Sequence, residues 1–145
     1  MQDEDIPRIQ AREPLNWARI TRYAVLMFLL HFSIGVLEGA LAPSASDTEA
    51  GIRQMVTGLA VALLVNVLMF ARLVYRQRER RLQHVALVFL LMLGIAQTFN
   101  AVIGLWLSLE QPMALTVLEW SVSVLGVLLG TLAGYAASIR RGMER

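Results

Sequence analysis

The sequence predicts an all-α integral membrane protein, a four-transmembrane-helix antiparallel bundle with both chain ends in the cytoplasm. Four apolar stretches alternate with short polar segments, and each stretch, at about 20 residues or more, is long enough to cross a bilayer as a helix. Of the thirteen arginines, twelve fall in segments that would share one side of the membrane. That side should be the cytoplasm, because positively charged segments stay inside.

The apolar stretches fill most of the chain, since 57% of its 145 residues are hydrophobic. Residues 1–16 are polar and should form a cytoplasmic N-terminal tail. Residues 17–145 should form a single transmembrane domain, because no room remains for a soluble domain beside the spans. The four spans are predicted at residues 23–42, 55–74, 85–109 and 113–138.

The first two spans should be joined by a short outer turn. The first span is expected to remain uncleaved, because Glu38 lies inside it and Pro43 follows the small residues that resemble a signal-peptidase site. The second helix should begin at Ser46, which has capping-box spacing with Glu49. It should continue beyond the membrane through residues 72–81, which contain five arginines and neither glycine nor proline.

The third and fourth spans should form a tight hairpin, because only residues 110–112 separate them. Pro112 suits the first turn of the fourth helix, where its missing N–H has no partner to lose. Tyr75 and Tyr135 near the inner headgroups, and Trp106 near the outer ones, are the expected interfacial anchors. Arginines at the end of the fourth helix return the chain to the cytoplasm.

Small residues recur at helical spacing in several spans and predict close contact between helices. Transmembrane helices associate through such residues because lipid is as apolar as leucine and provides no hydrophobic drive. The fourth span has a double GxxxG pattern. This stripe would pack inside the bundle, form a homodimer, or expose backbone to a permeating ligand. The predicted helix-packing residues are Gly35, Gly39, Gly58, Gly126, Gly130 and Gly134.

Polar side chains inside the spans form the candidate site, because such groups are costly in lipid and are usually buried, paired or functional. By depth, Glu38, Glu119 and Asn100 could form an outer layer. Two carboxyl groups in one dry cavity would suit a proton-coupled carrier; in the alternative, they reach interfacial water or bond to the nearby amides. The candidate residues are His31, Glu38, Asn66, Gln97, Asn100 and Glu119, with His31 and Asn66 in an inner layer and Gln97 between the layers.

Several kinds of chemistry are not expected. The chain has no cysteine, which excludes disulfides and iron–sulfur clusters. No catalytic residue, metal site or cofactor is predicted. His31 and His84 would lie about 12 Å apart in depth at 1.5 Å per residue, so they could not share one haem; a single-histidine or intersubunit haem stays open.

The basic residues bear on partners and location. They flank the apolar spans, where topology and anionic lipid headgroups account for them, so nucleic acid is not an expected partner. All thirteen are arginine. This choice is typical of proteins from GC-rich bacterial genomes, which predicts a multi-pass protein of the bacterial inner membrane.

Two functions are compatible with these features. The favoured hypothesis is a non-catalytic accessory or assembly subunit that packs, through its small-residue stripes, against itself or a larger membrane-protein partner. The alternative is a small homo-oligomeric proton-coupled transporter or channel that uses Glu38 and Glu119. The first is favoured because two glutamates near the outer interface make no pathway across the inner half of the membrane. An enzyme is not expected.

Overall fold

A computed structural model describes residues 15–42, 47–77, 79–107 and 113–143. These residues form four helices, and all four are long and apolar enough to cross a membrane. The all-α prediction is confirmed in this part of the chain, and the number of such helices equals the number of predicted spans. The helices are α1 (Trp17–Ala40), α2 (Thr48–Arg76), α3 (Arg81–Leu107) and α4 (Met113–Met143).

Short polar side chains set where the first two helices begin. The side chain of Asn16 caps α1 by accepting a hydrogen bond from the backbone N–H of Arg19 at 3.0 Å. Asp47 caps α2 in the same way, accepting from the N–H of Ala50 at 2.9 Å. The capping residue of α2 is therefore Asp47 and not the predicted Ser46, which lies outside the described residues.

The prediction that α2 continues through residues 72–81 is wrong. The helix ends at Arg76, and Arg80 has a φ of 50°, a left-handed backbone conformation that interrupts helical hydrogen bonding. The carbonyl of Arg80 instead accepts from the backbone N–H of His84 at 3.0 Å. The sequence offers neither glycine nor proline at this turn, and the side chains on either side of it contact other helices: Gln77 accepts from Arg19, and Arg81 donates to Ser138. Arg78, one of the five arginines, lies outside the described residues.

Polar contacts bring the starts of α1 and α3 beside the ends of α2 and α4. Arg19 donates to the side-chain oxygen of Gln77, and Arg81 donates to the hydroxyl of Ser138 at 2.7 Å. The backbone N–H of Asn16 approaches Nε2 of His84 at 3.4 Å. We call this the arginine-rich end, defined by Arg19, Arg22, Arg72, Arg76, Arg80, Arg81, Arg140 and Arg141.

The closest helix pair is α2 and α4, which run in the same direction. A Cβ atom at Gly130 would lie 2.6 Å from the carbonyl oxygen of Val67, and one at Gly134 would lie 2.6 Å from that of Ala71. Glycine at these positions therefore lets the two backbones approach closely. The pair α1 and α3 also runs in one direction, but it meets through aromatic rings.

The buried apolar core lies in the half of the bundle nearest the arginine-rich end. Val127 and Tyr135 of α4 pack against this core. Towards the other end, beyond Asn66, Met92 and Gly126, Gly58 is the one described residue that is buried. The helices are therefore sealed together in one half and open in the other. The core residues are Ile20, Ala24, Met27, Phe70, Leu73, Val74, Val85, Val88 and Met92.

Candidate functional site

A cavity of about 760 Å³ opens in the half of the bundle away from the arginine-rich end. All four helices contribute to its wall, and most of the wall is apolar. Five of the six predicted polar residues line it, although they come from three different helices. These five are His31 and Glu38 on α1, Gln97 and Asn100 on α3, and Glu119 on α4.

Glu38 lies half-buried where α1 meets α2. Its carboxyl group fills the space that a side chain at Gly58 would need, and its backbone carbonyl accepts a hydrogen bond from Nε2 of Gln54. Gly58 therefore allows a close contact between helices, as predicted, but the group that approaches it is the carboxyl group of Glu38 and not the backbone of another helix. Glu38 also borders a second hollow of about 610 Å³, which reaches Asp47 and Arg53. One carboxyl group therefore stands between the cavity and that hollow.

His31 presents a ring nitrogen at the boundary between the cavity and the core. Its Nδ1 lies 2.9 Å from the carbonyl oxygen of Met27. Because a carbonyl only accepts, Nδ1 carries the proton, and Nε2 of the neutral ring has a free lone pair. Nε2 is buried and has no hydrogen-bond partner among the described residues. Its capacity to accept a hydrogen bond is therefore unused among the described residues.

The remaining three cavity residues are more exposed. Gln97 and Asn100 lie about one turn apart on α3, since they are three residues apart. Glu119 lies on α4, one turn before Ser123, which also lines the cavity. The carboxyl groups of Glu38 and Glu119 therefore belong to opposite helices of the same cavity.

Asn66 is separate from the cavity wall. It is fully buried, and its Cβ lies 2.5 Å from where a Cβ at Gly126 would stand, so it packs between α2 and α4. Both atoms of its amide group have no hydrogen-bond partner among the described residues. Asn66 lies at nearly the same depth in the bundle as His31. Arg19 on α1 contacts Gln77 at the end of α2, and His31 is twelve residues from Arg19 while Asn66 is eleven residues from Gln77.

Comparison with known protein families, curated proteins and solved structures found no match to this chain.

Apart from Gly58, the predicted packing glycines separate into two groups. Gly126, Gly130 and Gly134 are buried against α2. Gly35 and Gly39 are exposed, and no atom of another described helix lies within 4 Å of the position that a Cβ would take. The reason is that α1 meets α3 through large side chains, and those rings hold the two backbones apart.

The aromatic wall of the cavity was not predicted from the sequence. The ring centroids of Phe28 and Phe32 lie 5.4 and 5.3 Å from that of Phe99, both edge to face. Trp120 lines the cavity from α4. The four-residue spacing of Phe28 and Phe32 puts them on one helix face, which was the available signal. The cavity thus joins hydrogen-bond acceptors and two carboxyl groups with aromatic surface.

Proposed function

We propose that this chain is a multi-pass protein of the bacterial inner membrane, an antiparallel four-helix bundle with both ends in the cytoplasm. The proposal is supported by eight arginines at one end of the described bundle, since the cytoplasmic side carries such an excess. The cavity then lies in the outer half of the membrane. Exposed leucine and valine side chains along all four helices face the lipid bilayer.

Within that membrane, we propose that the protein is a small proton-coupled carrier. The observation that carries this proposal is the shared cavity, which holds two carboxyl groups and is closed towards the cytoplasm by the packed core. A carrier alternates between a state open to one side of the membrane and a state open to the other. A site that is open in one half of the membrane and closed in the other is expected in either state. The double GxxxG pattern of α4 packs against α2. It is therefore not free to bind a partner protein, which argues against the accessory-subunit hypothesis.

The proposed chemistry needs only groups that exchange protons. Glu38 and Glu119 would bind solute when ionised and release it on protonation, because a neutral carboxyl loses its attraction for positive charge. Changing either residue to glutamine keeps the size and hydrogen bonding of the protonated form and removes the exchange.

Proton flux into reconstituted vesicles tests the carrier. We expect an imposed pH gradient to drive flux that depends on an added solute, and we expect Glu119→Gln to abolish it without changing folding. Glu49→Gln is the matched control, because Glu49 is exposed at the start of α2 and pairs with Arg53 at 3.4 Å, away from the cavity. Equal flux in wild type and Glu119→Gln would refute the proposal.

A second candidate function, an accessory subunit that self-associates or binds a larger membrane protein, is favoured by Gly35 and Gly39. These residues have GxxxG spacing. Gly39 has open space around it, as a helix contact surface requires, and Gly35 borders the cavity. Gly39→Leu should then reduce the mass of the detergent-solubilised complex. Gly142→Leu, at an equally open glycine of α4, is the control and should leave it unchanged. An unaltered mass in Gly39→Leu would exclude this surface.

A further inference from the structure

The cavity has a one-sided distribution of charge. Its charged side chains among the described residues are two acids, Glu38 and Glu119, and no arginine lines it. Eight of the described arginines lie at the arginine-rich end, and the ninth, Arg53, belongs to the other hollow and pairs with Glu49. Because opposite charges attract, ionised carboxyl groups here would attract a cation and repel an anion.

Several hydrogen-bond acceptors of the wall suit a ligand that donates hydrogen bonds. Nε2 of His31 offers a lone pair that no described residue uses. The carboxyl oxygens of Glu38 and Glu119 also accept when ionised. A protonated amine carries several N–H donors and a positive charge, so it can donate hydrogen bonds to these carboxyl groups.

Aromatic rings on facing sides of the cavity suit the rest of such a ligand. Phe28, Phe32 and Phe99 form one cluster, and Trp120 contributes from α4. A ring face attracts a cation within about 6 Å and also packs against apolar groups. The volume of about 760 Å³ is within the range of small-molecule sites, so the ligand can carry a body of several carbon atoms or rings.

We propose that the cavity binds protonated amines with an aromatic or aliphatic body. The ammonium group lies between Glu38 and Glu119, and the body packs against the aromatic wall. This inference rests on the proposed function, because it names the solute class of the same cavity. It is separable from that function, because binding can be measured without transport.

Equilibrium dialysis of the full chain in detergent tests the inference with two probes of matched shape and opposite charge, 4-phenylbutylamine and 4-phenylbutyrate. Protein-free micelles correct for partition into detergent. We expect the amine to bind and the acid not to bind. The double variant Glu38→Gln with Glu119→Gln should weaken amine binding at least about tenfold, through loss of both charges. Glu49→Gln should bind like wild type.

Three results would overturn the inference. They are equal binding of the acid and the amine, unchanged amine binding in the double variant, and no binding of either probe to a protein whose helical circular dichroism is intact. Proton flux measured in parallel separates the two proposals. Flux driven by other solutes without amine binding would support the carrier function and refute the binding of amines. Amine binding without flux would support the amine site and refute the carrier function.

Discussion

The carboxyl group of Glu38 on α1 lies in the space that any side chain at Gly58 on α2 would occupy. The two residues are twenty positions apart and meet only because the first two helices fold against each other. Glycine at position 58 therefore fixes where one of the two cavity carboxyl groups stands. This relationship makes the position of Glu38 open to test without changing Glu38 itself.

Gly58→Ala should impair amine binding more than stability. The new methyl group displaces the flexible end of Glu38, while alanine favours the helix by about 1 kcal/mol over glycine and offsets the strain. We expect the free energy of unfolding to stay within about 1 kcal/mol of wild type, and amine affinity to fall several-fold. Gly51→Ala, at an open glycine of the same helix, should leave amine affinity unchanged and raise stability by up to about 1 kcal/mol, because no strain offsets the helical preference of alanine. Wild-type affinity in Gly58→Ala would show that the Glu38 position is irrelevant to binding.

Gly130→Ala should destabilise the bundle. Its Cβ would lie 2.6 Å from a backbone oxygen of α2 and 2.9 Å from Cβ of Phe70, and neither atom can move without the backbone. Overpacking of this kind costs about 1–3 kcal/mol. Thermal unfolding in detergent measures the effect, with Gly142→Ala on the same helix as the unstrained control. If both variants melt like wild type, α2 and α4 do not touch at this point.

Reporter fusions test the topology. Fusions after Glu79 and at the C-terminus should be active in the cytoplasm, because both follow arginine-rich segments. Fusions at Ser46 and Gln111 should be active outside. Arg53 is the one arginine of the sequence that is expected on that side. An external C-terminus would mean that one of the four helices does not cross the membrane, and the cavity would need to be reassigned to another side.

His84→Ala should destabilise the turn between α2 and α3. The ring is 2% exposed, Nδ1–H donates to the carbonyl of Arg80 at 3.1 Å, and Nε2 faces the N–H of Asn16. Loss of a buried partner for such groups costs about 1–3 kcal/mol. Gln83→Ala, at the exposed preceding residue, is the control for chemical denaturation. Equal unfolding free energies in the two variants would contradict the role of His84.

Asn66→Leu should raise stability by about 1 kcal/mol, because it replaces a buried amide without described partners by an apolar group of similar shape. The same change at Asn100, which is exposed at the cavity, should give no gain. Thermal unfolding of both variants compares them directly. A large loss of stability in Asn66→Leu would mean that the amide binds a partner in the native protein.

The number of helices and their approximate positions could be predicted from the sequence alone. A long apolar run satisfies its backbone only as a helix in lipid, so composition and length decide the matter locally. Helix ends were less predictable. The cap at Asp47 competed with Ser46 one residue away. The turn at Arg80 is bonded to His84, which also makes a tertiary contact with the N–H of Asn16.

The sequence by itself determined which residues are polar, charged or small within each span, and so it determined the contents of the candidate site. Only the tertiary structure decided that Glu38 and Glu119 share a cavity while Asn66 lies between packed helices. Helical periodicity gives the face of a residue but not the helix that the face meets. That choice depends on which pairs of faces allow close packing. Here Gly126, Gly130 and Gly134 of α4 fit α2, whereas the glycines of α1 meet no other described helix.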